Sequence, residues 1–514
     1  MTAPRVGSVN ESSVTATSPP SGPLTSSLPS QTSDINETTR AAHLEALKTA
    51  IPVAHVFDVD QRTGFMAPEP PLARLPDPWE LWEQMLDEAV SSRLQLGDKL
   101  GLTPEEAETS RLWREKVAKM PVLGVSEFTG KPILLRRAHL VLTFILHFYV
   151  QSQSPPKSNT TSTSTPPSTS TGPDSDSESC IHIPKSISLP LLRVSKELDI
   201  PPLLTFSDTV LYNWTYNTPP TTPNPIPQPS TIRTQTMFTN TIDEEEFYLC
   251  SGRIELRGVE ILEHMRMTMD EVFVGDDIAV RRITEYLRRV AGLIGELKAL
   301  LMSVRERCDP EVYYNEVRPW FRGEDSVENK RKWVFDLGDE EREGEGGVKE
   351  SQREMVHPTE LSGPSAGQSS MVHVLDIFLG VDHRMTSPGQ ESFMSRMQKY
   401  MPRNHRLFLD HLKANPRPLR GFVEARGDAE LVKAFDEAVG ALKEFRDAHM
   451  IIATLYILGP ARRAARRAAE AKKEKGAVQE KDKKVVVKGT GGSDLVTFLK
   501  ETRERTKETM LGGQ

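Results

Sequence analysis

The residues with the clearest chemical potential lie in FRDAHMIIATLYILGPA, Phe445 to Ala461. Leu431, Phe435, Val439, Leu442, Phe445, Ile452 and Tyr456 recur at helical spacing, and His449 falls on the same stripe. Arg446 lies one turn before it. A neutral imidazole facing a helical interior can serve as an axial ligand to haem iron. An arginine one turn away can pair bidentately with a haem propionate. Taken alone, a histidine on an apolar face is more often a hydrogen-bonded core residue.

A second chemical signal is GPSAGQSS, Gly363 to Ser370, which precedes a helix carrying Val374, Leu375, Phe378 and Leu379. Small residues let the backbone approach a flat ligand, and Ser and Gly amides can donate hydrogen bonds. An ordinary N-capped loop-to-helix junction has the same composition. No GK[ST] follows, so this is not a phosphate-binding P-loop.

These residues must be positioned by a core that is only part of the chain. Of 514 residues 37% are hydrophobic and 38 are proline, so long non-core segments dilute a packed interior. The net charge of −8 gives no general pull toward nucleic acid or membranes. Cys180, Cys250 and Cys308 show no CxxC spacing, which points to a reduced intracellular protein without structural zinc or disulfides. The polar N-terminus lacks the apolar run of a secretory signal. The longest apolar runs, Leu140–Val150 and Met450–Leu458, are too short to span a bilayer. A cytoplasmic location is the expectation.

Residues 1–39 are expected to be a disordered tail. Residues 40–235 read as a small N-terminal domain, with helices in AHLEALKTAI, PWELWEQMLDEAVSSRLQL and RRAHLVLTFILHFYV. Pro78 fits a first helical position. Low-complexity inserts are expected at about 151–179 and 218–231. Residues 236–514 read as a large helical domain, with helices near 244–269, 280–304, 370–379, 391–401 and 404–414. Residues 338–350 read as a charged, Gly-rich loop. Gly459-Pro460 reads as the stop of the last long helix. The basic run Ala461–Lys475 then reads as the start of a mobile, solvated loop extending to about residue 490.

Three strings, GPSAGQSSMVHVLDIFLGV, MQKYMPRNHRLFLDHL and LKEFRDAHMIIATLYILGPA, together with the tail GTGGSDLVTFLK, resemble the indoleamine 2,3-dioxygenase family. The four cover most of Ser362–Lys500 in order and spacing, and the likeness extends upstream through Phe247 and more weakly to LTFSDTVLYNW. No counterpart is recognised for the first forty residues or the Ser/Thr/Pro inserts. The resemblance implies a mainly α, two-domain fold with a large all-helical haem domain and a smaller N-terminal one. It implies haem b bound through His449, with Arg446 pairing with a propionate and Asp376 beside it as an outer-shell acid.

The resemblance further places Phe247 and Ser251 in the distal pocket; four residues apart, they share a helical face. Arg318, in VYYNEVRPWF, matches the arginine that holds the substrate carboxylate. Tyr313 stands where animal enzymes carry phenylalanine, and its hydroxyl needs a partner. Ser365 and Ala366 match the backbone over the haem edge. Pro364 replaces a glycine common in animal members and so removes an N–H. Phe206, Thr209 and Val210 match the inner pocket wall, and Thr490 a mobile-loop threonine. His405 reads as structural, while His264, His373 and His411 match no functional position.

The implied reaction inserts O2 across the indole C2–C3 bond of L-tryptophan to give N-formyl-L-kynurenine. That is the first step of the kynurenine pathway, which serves tryptophan catabolism and NAD supply. A monomer acting on tryptophan and related indoleamines, without nucleic acid or membrane partners, is expected. No carboxylate or histidine falls at the matched distal positions, so no strong general base is expected. Two other readings stay open: a haem protein of this fold that binds O2 or other diatomics with little tryptophan turnover, and a haem-sensing scaffold using the inserts as partner sites.

Overall fold

The structure, a computed structural model, describes residues 56–155, 180–222, 225–326, 331–337, 360–383, 391–474, 489 and 494–512. The expected N-terminal tail, the helix in AHLEALKTAI, nearly all of the first insert, the loop at 338–350 and Thr490 lie outside these residues. The described residues belong to one unit, Val53–Gln514, and the expected boundary near residue 235 falls inside it.

The first elements are α1 (Glu80–Ser91), α2 (Pro104–Lys119), α3 (Pro132–Gln151), β1 (Cys180–Ile183) and α4 (Lys185–Leu198). Pro78 stands in the 3-10 turn Asp77–Trp79 that leads into α1. A capping box between Thr103 and Glu106 starts α2. Helix α3 is strongly apolar and twenty residues long. It is long and apolar enough to cross a membrane, but 78% of its most apolar window is buried inside the protein. It packs on α1 and α4, which is the setting of a core helix.

The hairpin strands β2 (Trp214–Tyr216) and β3 (Ile232–Thr234) pair antiparallel, with Trp214 opposite Thr234. Their connection holds the expected Pro/Thr-rich segment, whose described part is tied by Asn217 N–H to Thr231 O. Next come α5 (Ile242–Val274), α6 (Asp277–Ser303) and β4 (Lys332–Phe335), the last running parallel to β1 with Cys180 opposite Lys332. Thr241 caps the start of α5, and Gly275, at φ 70°, ends it. Ile283, Leu287, Val290 and Ile294 on α6 are fully buried, each contributing about 1.5–3 kcal/mol by burial.

The remaining helices are α7 (Ser370–Leu379), α8 (Phe393–Gln398), α9 (Arg403–Lys413), α10 (Leu419–Arg426), α11 (Ala429–Ala453), α12 (Gly459–Glu474) and α13 (Leu495–Glu508). α11 packs along α6, α6 along α5, and α13 against α11. One hydrophobic core runs from Val59 to Tyr456 through both helical groups.

One expectation is corrected. Gly459-Pro460 does not stop the helix, and 459–474 is helical rather than the start of a loop. The chain passes from α11 through a π turn, Thr454–Leu458, into α12. Proline lacks an N–H, but at the second position of the new α segment none is required, and the widened turn absorbs the change of register. Arg463 and Arg467 of α12 approach Glu311, which anchors the helix at its exposed face.

Candidate functional site

Among the described residues, three helical segments widen into π turns: Ser207–Leu211, Tyr313–Val317 and Thr454–Leu458. Each contributes to the wall of one cavity, through Thr209 and Val210, Tyr313, and Tyr456 and Ile457. Such turns concentrate at functional sites. With its mouth, open solvent included, the cavity encloses about 1810 Å³ of non-atom space, and most of its lining is apolar, as in ordinary ligand pockets.

His449 lies on the wall, on α11. It is half-buried, with exposed surface toward the cavity. Burial, aided by Arg446, pushes its pKa down to about 4, so the imidazole is neutral at physiological pH. It makes no hydrogen bond among the described residues. The hydrogen-bonded core histidine considered from the sequence is therefore absent, and a neutral nitrogen base is free to face a ligand.

Arg446, one turn earlier, is buried and shares the wall. Its Nη2 pairs with Asp376 Oδ1 on α7, and its Nη1 donates to Thr506 Oγ1 on α13. Burial alone would raise the Asp376 carboxyl, but Arg446 and His383 hold it below its ordinary value. His383 Nε2 lies 2.7 Å from Asp376 Oδ2. Asp376 itself is not among the wall residues; it pairs with Arg446, which is.

To the same cavity α5 presents Phe247, Ser251 and Glu255 along one face at steps of four. The Phe247 ring lies 4.3 Å from that of Tyr313, which in turn meets Tyr456 edge-on at 5.8 Å. Tyr456 donates to Cys308 O at 2.6 Å. The side chains of Ser251 and Tyr313 make no hydrogen bond among the described residues. Burial holds the Tyr313 hydroxyl protonated, so it is available as a donor.

The GPSAGQSS segment forms a further wall. Ser365 Oγ accepts from Gly367 N at 3.2 Å, and Ser365 O accepts from Gln368 N at 2.9 Å. Gln368 donates to Gly363 O and accepts from Phe206 N at 2.8 Å, so it ties the loop to the inner wall. Gly363 and Gly323 allow the loop to pass against Phe321–Gly323 backbone to backbone. A Cβ on Gly363 would stand 2.0 Å from Phe321 O. Phe206, Thr209, Val210, Pro364, Ser365 and Ala366 all line the cavity.

Three residues were missed in the sequence. Glu255 is buried on the wall, accepts from Ser369 Oγ at 2.6 Å and leaves Oε2 without a partner. Burial raises its pKa to about 7. It continues the step of four from Phe247 and Ser251, a readable signal. Gln368 and His383 carried none without the tertiary contacts. Arg318 is buried one turn beyond Tyr313, with its guanidinium 5.6 Å from the Tyr314 ring, and is not among the wall residues. Gly489 reaches the wall; Thr490, next to it, lies outside the described residues.

The family model for indoleamine 2,3-dioxygenase matches residues 53–509. The chain belongs to this family. It is 30% identical over 470 residues to an indoleamine 2,3-dioxygenase of Aspergillus candidus, covering 88% of this chain and 96% of that protein. It is 28% identical over 478 residues to the Saccharomyces cerevisiae enzyme (89% and 94%) and 27% identical to indoleamine 2,3-dioxygenase 2 of Mus musculus (88% and 95%). The mainly helical fold is that of the family, and an oxidoreductase of the tryptophan-dioxygenase type follows in general terms.

Indoleamine 2,3-dioxygenases depend on haem, and the residues here fit one. The wall combines a neutral, unpartnered imidazole, a buried guanidinium with N–H groups to spare, and apolar side chains around both.

Proposed function

We propose that the chain converts L-tryptophan and O2 to N-formyl-L-kynurenine, inserting both oxygen atoms across the indole C2–C3 bond, with haem b held through His449. The observation that carries this reading is the His449 imidazole, which has no hydrogen-bond partner among the described residues and lines the same cavity as Phe247 and Ser251 of α5. Haem in its ferrous state would supply oxygen binding and the oxidative chemistry. Arg446, oriented by Asp376 and Thr506, would meet a propionate. Phe206, Val210, Phe247 and Tyr313 would pack the indole and exclude water. Ser251 would offer its hydroxyl as a hydrogen-bond donor to the substrate amine or to O2. Arg318 would hold the substrate carboxylate, and Thr490 would close over it. No group at the cavity is assigned as a strong base, and a peroxidase-like acid–base pair is not part of this reading.

Ferrous spectra with and without L-tryptophan and CO, together with an assay for N-formylkynurenine, test it. A Soret band and product are expected. A Soret band without product would favour a haem protein of the same fold that binds diatomics and turns over little tryptophan. The placement of Arg318 off the wall is the observation that keeps this second reading alive. A cytoplasmic, monomeric enzyme of tryptophan catabolism and NAD supply, with the two-domain division near residue 235, completes the proposal.

A further inference from the structure

Asp376 sits on α7 and holds Arg446 with one oxygen, Oδ1. Its other oxygen would be left bare in the interior if nothing met it, for Asp376 is only 2% exposed. The chain supplies a partner by a local device. Gly380 takes φ 75° and ends α7, with Val381 N–H returning to Asp376 O at 2.8 Å. Had the helix continued, residues 376 and 383 would stand about 10 Å apart along its axis. The glycine reversal instead brings His383 Nε2 to 2.7 Å from Asp376 Oδ2.

Each polar group in this chain of contacts fixes the next. His383 holds Asp376, Asp376 holds one arm of Arg446, and Thr506 holds the other. A guanidinium with two arms fixed has one remaining orientation for its unused N–H groups. His383 itself is 17% exposed and opens onto a surface crevice bordered by Glu360, Glu391, Arg396, Asp494 and Arg505. Among the described residues, His383 is the polar group that links the buried pair to this crevice, and it lies outside the cavity wall.

We infer that His383 is a positioning residue: by donating to Asp376 it holds Arg446 in the orientation that grips a haem propionate. The inference rests on the haem reading above.

The test is the rate at which ferric holoprotein gives up haem to excess apomyoglobin, measured beside thermal unfolding of the haem-free chain. In His383→Leu the donor is gone, and haem should leave about tenfold faster, in line with other outer-shell changes. His383→Gln keeps an N–H within reach and should stay within about threefold of the parent. In an Asp376→Asn background His383→Leu should add little, because the two act through one contact. A parental rate in His383→Leu overturns the inference, as does an equal acceleration in the Asp376→Asn background. If His383→Leu does not fold, His383→Asn, one methylene too short, takes its place under the same two criteria. A parent chain that shows no Soret band with stoichiometric haem overturns the haem reading itself, a separate failure from either of these.

Discussion

The two sides of the cavity are built on opposite principles. Behind His449, Arg446, Asp376, His383 and Thr506 are each spoken for by a protein partner. On α5 and the Tyr313–Val317 turn, the hydroxyls of Ser251 and Tyr313 have none among the described residues, and Glu255 keeps one oxygen bare. Paired polar groups resist rotation and fix geometry in advance. Unpaired ones on a cavity wall leave their hydrogen-bonding capacity for whatever enters. On the proposed reading, the His449 side is a mount and the aromatic side is a recognition surface.

Substitutions can break that contrast. The largest effect is expected in His449→Ala, which should purify without a Soret band yet retain its helical circular dichroism. The loss should exceed the ~10–100-fold that outer-shell changes produce. An intact Soret band would remove His449 from the mount. Next, Asp376→Leu strands a buried guanidinium and should destabilise the haem-free chain by about 3–5 kcal/mol in urea. A cost under about 1 kcal/mol would mean that the pair is not structurally tight.

Glu255 gives a pH test on the other side. Its folded pKa, about 7, lies above the ordinary 4.5. Protonation therefore favours the folded state, a gain fully present below about pH 4.5 and lost as pH rises through about 7. Glu255→Gln should stabilise the chain relative to the parent more at pH 8 than at pH 5.5, by about 1.4 kcal/mol per unit within that window. An equal effect at both values would show that the carboxyl is not buried as described. The smallest effect is expected in Tyr313→Phe. It should leave haem-free stability within about 1 kcal/mol of the parent, since no protein hydrogen bond is lost. A larger destabilisation, read in urea, would reveal a partner and move Tyr313 from recognition to mount.

Periodicity placed the anchors of the mount on buried helices, while their roles, and Asp376, came from the resemblance. His449 and Arg446 follow the stripe from Leu431 to Tyr456, and Ser370–Leu379 was located to the residue. The completion of the mount was not legible, because His383 and Thr506 reach the pair only through a glycine reversal and a C-terminal helix packed from elsewhere. On the recognition side, Phe247 and Ser251 came from the resemblance, and Glu255 was available from the same step of four. Gln368 meets Phe206 across 162 residues, a link that no local pattern carries. The misread stop at Gly459-Pro460 has a similar cause: the signal was real, but a π turn changed the register that proline had to satisfy.

Those widened turns have a further consequence. Each holds one residue more than an α turn would, and each sits where its helix meets the cavity. Losing a single residue from Tyr313–Val317 would swing the following side chains by about 100° around the helix axis. A relative could thereby trade one set of wall residues for another while its helices kept their places. Chain length at three short turns, as much as residue identity, is the variable through which this pocket can be retuned.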